Sequence, residues 1–370
     1  MAKPLVLNKP VIAITGSAGK TTTKEMLASI LQISWKTFKT YGNANAPRHT
    51  AKYAKSIKSF HKAVILEYGM SKPGEIRRSC LIIKPNIGIV TNVGTAHIGN
   101  FKGSIYGVAN TKSDLIRYMK STGLLFLNAD DRNSKLLDTK EFKGKIFTVS
   151  QNSDVQATYK ARNVQYAKQG MKFEAKIDNK YYDFYIPIYG KHNIYNALFA
   201  IAVAHQLGFT YQEIRKGLAK YKKPYRRLTV YPIKNKILII DDTFSANPNA
   251  VRAAIDVMCS IGVGKKIAVL GSMLEMGSYK YKGHKEVGKY LADKKIDYLY
   301  TYGKDALSIA EGAKESKFPK EKIKNFYSQE NLTRYLISNV KSNSTVLFKA
   351  SHAMRLDRIV SSFVKYKKSH

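Results

Sequence analysis

The sequence has 370 residues, of which 44% are hydrophobic and 24% charged, as is typical of a globular chain long enough for two domains. Its two cysteines, Cys80 and Cys259, are too few and too far apart for a disulfide framework or a zinc site. The residues before Val11 are too polar for a signal peptide, and no apolar run approaches the roughly 20 residues of a membrane span. These features predict a cytoplasmic protein without a membrane span.

The charge is strongly positive, because 63 Lys and Arg residues outnumber 26 Asp and Glu residues and leave a net charge of +37. Such an excess favours polyanions such as nucleic acid, anionic lipid or an acidic polymer. A lysine-rich, solvated surface explains the same number without any partner. The basic residues are spread along the chain and form no known nucleic-acid module, so nucleic acid is not the expected partner.

The first half alternates short β-branched runs with helical patterns. Buried strands are predicted at residues 11–15, 63–66, 87–92, 124–128 and 146–149, with helical stretches such as 21–32 between several of them. This alternation predicts a parallel sheet covered on both faces. Residues 171–189 break the pattern and predict an antiparallel hairpin that turns at Asp178 and Asn179.

A helix is predicted at residues 193–207, followed by a basic, non-periodic segment at 221–227 that marks a domain boundary. Strands then recur at 237–241, 267–270, 298–302 and 345–348. The prediction is an α/β chain with a doubly wound P-loop ATPase domain at 1–223 and a smaller Rossmann-like domain at 224–370.

A glycine-rich turn follows the first predicted strand and precedes a helix. It consists of Gly16, Ser17, Ala18, Gly19, Lys20, Thr21 and Thr22. Glycines allow backbone N–H groups to face a phosphate, and the start of the helix favours an anion. Lys20 would reach the β- and γ-phosphates of ATP and Thr21 would bind Mg²⁺. Ile14 stands where the strict motif requires its first glycine.

This turn and further blocks in the same order resemble the Mur ligase family across nearly the whole chain. The blocks are Glu67-Tyr68-Gly69-Met70, Thr91-Asn92-Val93-Gly94-Thr95-Ala96-His97, Lys112-Ser113-Asp114, Asn128-Ala129-Asp130-Asp131, Gly190-Lys191-His192-Asn193, Asp241-Asp242-Thr243, Leu270-Gly271-Ser272-Met273 and Lys349-Ala350-Ser351. The resemblance implies an ATP-dependent ligase that activates a carboxylate as an acyl phosphate and joins it to an amine.

The resemblance also implies roles for individual residues. It assigns the metal site to Thr21, Glu67, His97 and a carbamylated Lys112, and catalysis to Lys20, Lys112, His97 and Arg227. It assigns nucleotide binding to residues 16–22 together with three further residues. These are Asn196 for the adenine, Arg227 for the γ-phosphate and Asp242 for the ribose.

Some positions depart from the family pattern. Phe244 and Ser245 replace a Tyr-Asn pair, residues 42–47 follow their motif only in part, and His352 replaces an arginine. Only ten residues precede the P-loop strand, so we expect the family's N-terminal uridine-binding domain to be missing. We therefore expect a carboxylate other than the usual UDP-muramoyl-peptide, either a small molecule or an acidic polymer, together with an amine or amino acid. A partner chain replacing that domain is a further expectation.

The competing interpretation is a non-catalytic P-loop protein that docks on nucleic acid or anionic membrane through its basic surface. Glu67, His97 and Lys112 argue against it, because a scaffold does not need a two-metal constellation.

Overall fold

A computed structural model describes residues 3–369 of the protein. Met1, Ala2 and His370, which the predicted domains include, lie outside the described residues. The chain separates into two compact units between Lys223 and Pro224. Both are α/β structures with parallel-rich sheets, so the predicted fold class is confirmed. No helix among residues 3–369 combines the length and the apolar composition needed to cross a bilayer.

The strands of the first unit form one sheet with the order β2-β3-β1-β4-β5-β6-β7-β8-β9. They are β1 (Val11–Thr15), β2 (Thr37–Lys39), β3 (Ala63–Glu67), β4 (Ile87–Val90), β5 (Leu124–Asn128), β6 (Lys145–Ser150), β7 (Tyr159–Ala167), β8 (Gly170–Ile177) and β9 (Lys180–Ile186). Strands β1 to β6 pair in parallel with their neighbours in this order. Strands β7, β8 and β9 pair with one another in antiparallel fashion and extend the sheet. Every residue of β1 and β3 is buried, as expected for a sheet covered on both faces.

The helices of the first unit connect and cover these strands. They are α1 (Lys20–Leu31), α2 (Pro47–Ser56), α3 (Glu75–Ile82), α4 (Ile105–Tyr118), α5 (His192–Gln206) and α6 (Tyr211–Ala219). Helix α5 is apolar over most of its surface and packs against α1 and the sheet. A helix that is hydrophobic nearly all round must be buried, and this one supports α1 from behind.

The sheet order places the candidate site. Strand β1 lies between β3 and β4, and the chain leaves β1 towards one side of the sheet and later returns to its other side. In such sheets ligands bind at the carboxyl ends of the strands where the direction of winding changes. That edge carries the glycine-rich turn after β1, Glu67 at the end of β3 and the loop after β4.

The second unit contains a separate sheet with the order β10-β11-β15-β12-β13-β14. Its strands are β10 (Thr229–Ile233), β11 (Ile237–Asp241), β12 (Lys265–Gly271), β13 (Tyr298–Tyr302), β14 (Ile323–Phe326) and β15 (Ser344–Lys349). Its helices are α7 (Pro248–Ile261), α8 (Lys280–Ala292), α9 (Leu307–Glu315), α10 (Gln329–Asn339) and α11 (Leu356–Ser369). Strand β10 is antiparallel and the others are parallel. Phe348 and Phe363 anchor one core of this unit.

The nine strands that were predicted individually are all present, each within two residues at either end, whereas β2, β7, β10 and β14 were not predicted. Strand β4 ends at Val90, two residues earlier than predicted, because Thr91 and Asn92 turn towards the glycine-rich loop. The predicted hairpin does turn at Asp178 and Asn179, which have φ angles of 46° and 64°. Strand β7 joins this hairpin to the main sheet.

Candidate active site

Two glycines allow the turn after β1 to pack closely against its neighbours. Gly16 has φ 146° and Gly19 has φ 86°, values that side chains rarely tolerate. A Cβ atom at Gly16 would lie 1.8 Å from the hydroxyl of Thr91, and one at Gly19 would lie 2.3 Å from Oδ1 of Asn196. The turn is therefore held between the end of β4 and helix α5.

The loop after β4 braces this turn through the side chain of Asn92. Its Oδ1 accepts the backbone N–H groups of Ser17 at 3.1 Å and Ala18 at 3.0 Å. The hydroxyl of Ser17 also accepts the Gly94 N–H at 2.8 Å. The N–H groups of Ser17 and Ala18, predicted to contact nucleotide, thus face Asn92 in this structure.

Helix α1 starts without a side-chain cap. Its N-cap residue is Gly19, whereas α6 has a full capping box formed by Thr210 and Glu213. Uncapped N–H groups and the helix dipole together suit an anion. Lys20 donates from Nζ to the carbonyl of Gly16 at 2.7 Å, which places its ammonium over the turn. The start of α1 therefore fits the phosphates of a nucleotide.

Glu67 is buried at the end of β3 with both carboxylate oxygens held. The hydroxyl of Thr21 donates to Oε2 at 2.9 Å, and Nδ2 of Asn45 donates to Oε1 at 2.8 Å. The ammonium of Lys24 lies 3.8 Å from Oε2. A carboxylate and a threonine hydroxyl beside a phosphate site are oxygen ligands of the kind that Mg²⁺ takes. A direct hydrogen bond thus joins two of the predicted metal ligands, Thr21 and Glu67.

His97 lies on the loop after β4, whose backbone is fixed by residues that follow β5. Asp131 accepts the Val93 N–H at 2.7 Å, and Asn133 donates to the Val93 carbonyl at 2.8 Å. Among residues 3–369, no three His, Cys, Asp or Glu side chains gather into a metal cage. A metal bound here would also need oxygens from phosphate, water or a modified lysine.

Lys112 lies on α4 with only 1% of its surface exposed. Its Nζ approaches the sulfur of Met70 to 3.9 Å. Burial, reinforced by the positive charge of Lys20 and opposed by Asp131, holds the pKa of Lys112 well below its usual value. A lowered pKa increases the neutral amine, which is the form that reacts with CO₂. The environment of Lys112 therefore fits the predicted carbamylation.

Asn196 is placed beside the glycine-rich turn on α5. Its Oδ1 accepts the Thr23 hydroxyl at 3.2 Å, and its Nδ2 donates to Asn193 at 2.9 Å. Asn196 is therefore buried against the first turn of α1 and supports the glycine-rich turn. Its contact with the adenine remains a prediction.

Arg227 and Asp242 both belong to the second unit. The guanidinium of Arg227 lies 4.4 Å from the ring centroid of Phe244, a cation–π distance. Asp242 accepts the Leu228 N–H at 3.2 Å and pairs with the buried ammonium of Lys349. Phe244, which replaces the tyrosine of the family pattern, is thus the ring that the Arg227 guanidinium contacts. The carboxylate of Asp242 already has protein partners.

Four side chains that hold this site together were given no role from the sequence. They are Lys24, Asn45, Asn92 and Asp131. Each is an amide or charged residue in a loop after a strand or in the first turns of α1, a pattern that could have marked them as candidates. Their partners lie up to 75 residues away in sequence, so the pairing itself was not visible.

Comparisons with known proteins identify the family of the chain. The family model described as the Mur ligase middle domain matches residues 14–204. The model described as the Mur ligase glutamate ligase domain matches residues 226–352.

The sequence is 34% identical to the UDP-N-acetylmuramoyl-tripeptide–D-alanyl-D-alanine ligase of Bacillus subtilis, over 97% of this chain and 77% of that protein. MurF from Acinetobacter baumannii superposes with a TM-score of 0.87 at 29% identity, covering 96% of this chain and 76% of that one. MurF from Thermotoga maritima, solved in complex with ADP, gives a TM-score of 0.84 at 26% identity, covering 98% and 81%.

Proposed function

The chain belongs to the Mur ligase family, and we propose that it uses ATP to join a carboxylate to an amine, releasing ADP and phosphate. The observation that carries this proposal is the uncapped start of α1 beside the buried Thr21–Glu67 pair. This arrangement places a site for an anion, at the start of α1, next to the oxygen ligands of a cation, because Thr21 belongs to both.

The reaction needs activation because a carboxylate and an amine in water simply form a salt. In the proposed sequence a carboxylate oxygen attacks the γ-phosphorus of ATP, and the bond to ADP breaks. The amine then attacks the acyl carbon, loses a proton, and inorganic phosphate leaves with the former carboxylate oxygen. Lys20 and the first N–H groups of α1 would stabilise the charge on the phosphates. Arg227 is proposed to add a further positive charge at the γ-phosphate.

Mg²⁺ would be held by Thr21, Glu67, His97 and Lys112 in its carbamylated form. When bound, it would neutralise charge on the phosphate oxygens. Carbamylation changes the lysine from a cation into a carboxylate, so the sign of its interaction with a metal reverses. The 1% exposure of Lys112 supports this role, because a buried ammonium without a carboxylate partner is costly.

We propose that the acid is UDP-N-acetylmuramoyl-tripeptide and the amine is D-alanyl-D-alanine. Support comes from the Bacillus subtilis relative, whose name specifies this pair and which matches 97% of this chain. The comparisons give no support to our expectation of a different carboxylate. They also do not favour a non-catalytic polyanion-binding protein. The division into a central and a C-terminal domain near residue 224 is part of the same proposal.

The test is an assay of ADP release by the full chain with Mg²⁺, bicarbonate, the UDP-tripeptide and D-alanyl-D-alanine. We expect turnover only when acid and amine are both present, with a product of the summed mass less water. ADP release at the same rate without the acid and the amine would contradict the assignment as a ligase. Turnover with another acid but not with the UDP-tripeptide would contradict the substrate assignment alone.

A further inference from the structure

Lys24 is a fully buried lysine on α1 that the proposed reaction does not use. Its ammonium donates to the carbonyl oxygens of Thr40 and Gly42, each at 2.8 Å. It also lies 3.1 Å from a carboxylate oxygen of Glu25 and 3.8 Å from Oε2 of Glu67. These contacts link the nucleotide-facing helix to the segment that follows β2, here called the β2 loop (residues 40–45).

The β2 loop in turn holds the end of β3. The Thr40 hydroxyl accepts the Glu67 N–H at 3.1 Å, and Asn45 donates to Oε1 of Glu67 at 2.8 Å. The carbonyl of Asn45 accepts the Gly69 N–H at 3.0 Å. Glu67 is therefore oriented from one side by Thr21 and from the other by this loop.

We infer that Lys24 is a positioning residue, which fixes the β2 loop against α1 so that Asn45 and Thr40 hold Glu67 in place. The inference rests on the proposed function, since it assigns Glu67 to the metal site. Burying an ammonium is costly unless its hydrogen bonds are satisfied, and two of those bonds end on this loop. The Lys24 ammonium also lies beside the carboxylates of Glu25 and Glu67, so its anchoring role has to be separated from its charge by experiment.

Two substitutions separate anchoring from charge. Lys24→Gln removes the charge but keeps a donor for a loop carbonyl, whereas Lys24→Met keeps the aliphatic stem and removes both. Lys367→Met is the matched control, because Lys367 also donates to two carbonyls, those of Ile337 and Val340, in the second unit. If Lys24→Met does not fold, Lys24→Gln alone decides the question.

The first measurement is amide hydrogen exchange of residues 40–45 in the full chain without nucleotide. We expect exchange at least tenfold faster in Lys24→Met, a smaller increase in Lys24→Gln and no change in Lys367→Met. Affinity for a fluorescent ADP without Mg²⁺ should stay within about threefold of the parent in all three. Unchanged exchange in the folded Lys24 variants would overturn the inference.

The second measurement is steady-state turnover with the pair of substrates that the parent uses. We expect kcat to fall at least tenfold in Lys24→Met, with KM for ATP within about threefold and partial recovery in Lys24→Gln. Equal kcat in parent and variants, despite faster exchange, would also overturn the inference. A parent that turns over no acid–amine pair would instead refute the proposed function, and the exchange data would still report on Lys24.

Discussion

The hydroxyl of Thr21 donates to Oε2 of Glu67 over 2.9 Å, and this bond joins the first turn of α1 to the end of β3. One partner belongs to the phosphate-binding turn and the other to the strand edge where a cation is expected. We predict that Thr21→Val and Glu67→Gln each raise the Mg²⁺ concentration for half-maximal activity at least fivefold, equivalent to about 1 kcal/mol.

A double-mutant cycle tests whether this pair acts as a unit. Thr21→Val removes the bond, and Glu67→Gln weakens it because the acceptor loses its charge, so the double variant should lose less than the sum of the two single effects. Strict additivity would show that Thr21 and Glu67 act independently and would contradict the shared site.

Lys20→Ala should abolish most turnover and leave the fold intact. The ammonium donates to the Gly16 carbonyl at the turn where the phosphates are proposed to bind, so loss of its charge should affect the ligand more than the fold. We expect kcat to fall by about 10²-fold or more, with a melting temperature close to that of the parent. Lys120→Ala, at an exposed position, is the control. Equal turnover in Lys20→Ala and Lys120→Ala would refute the phosphate site.

Asn92→Ala should weaken nucleotide binding although its side chain faces protein. It removes two acceptor contacts that shape the turn, each worth about 0.5–1.5 kcal/mol. We predict that the Kd for ADP, measured by calorimetry, rises about tenfold. Asn339→Ala, which loses one exposed bond in the second unit, should bind ADP as the parent does. The same Kd in both variants would show that the turn keeps its shape without Asn92.

The strands of this protein are more predictable from its sequence than the contacts of its candidate site. Strands such as 11–15 and 124–128 were predicted to the residue, because a buried parallel strand is a continuous apolar run. Glu67 and Lys20 could be proposed as site residues because they lie next to such runs. Asn92 was assigned to a strand and given no role, because its function depends on a loop conformation and on partners in another motif. Lys24 was given no role, since the burial of one lysine among many cannot be recognised from the sequence.

Lys112 should be carbamylated in the active enzyme. We predict that Lys112→Ala is inactive and is partly rescued by a short carboxylic acid, which can replace the missing carbamate oxygens. Activity of the parent should fall in CO₂-depleted buffer and recover with bicarbonate. The modification would be contradicted if activity did not depend on bicarbonate and if the intact-protein mass showed no carbamate under trapping conditions.

The same residue predicts a pH effect on stability in CO₂-depleted buffer. Burial lowers the pKa of Lys112 in the folded state, whereas the unfolded chain keeps a value near 10.4. Between these two values the unfolded state binds more protons, so the free energy of unfolding falls as the pH drops through that range. Lys112→Met removes this penalty and should be more stable than the parent at neutral pH by about 1 kcal/mol or more, with the difference shrinking above pH 10. Denaturant titrations at both pH values measure it, and a less stable Met variant at neutral pH would contradict the account.

The central claim is that ATP activates the carboxylate as an acyl phosphate, and oxygen transfer tests it most directly. The acid substrate is labelled with ¹⁸O in its carboxylate and allowed to react with ATP and the amine, and the released phosphate is analysed by mass spectrometry. The account predicts one ¹⁸O atom in each phosphate, because the bond that breaks in the second step lies between the acyl carbon and that oxygen. Unlabelled phosphate formed at the rate of product would contradict it, since the carboxylate oxygen would then never have been bonded to phosphorus.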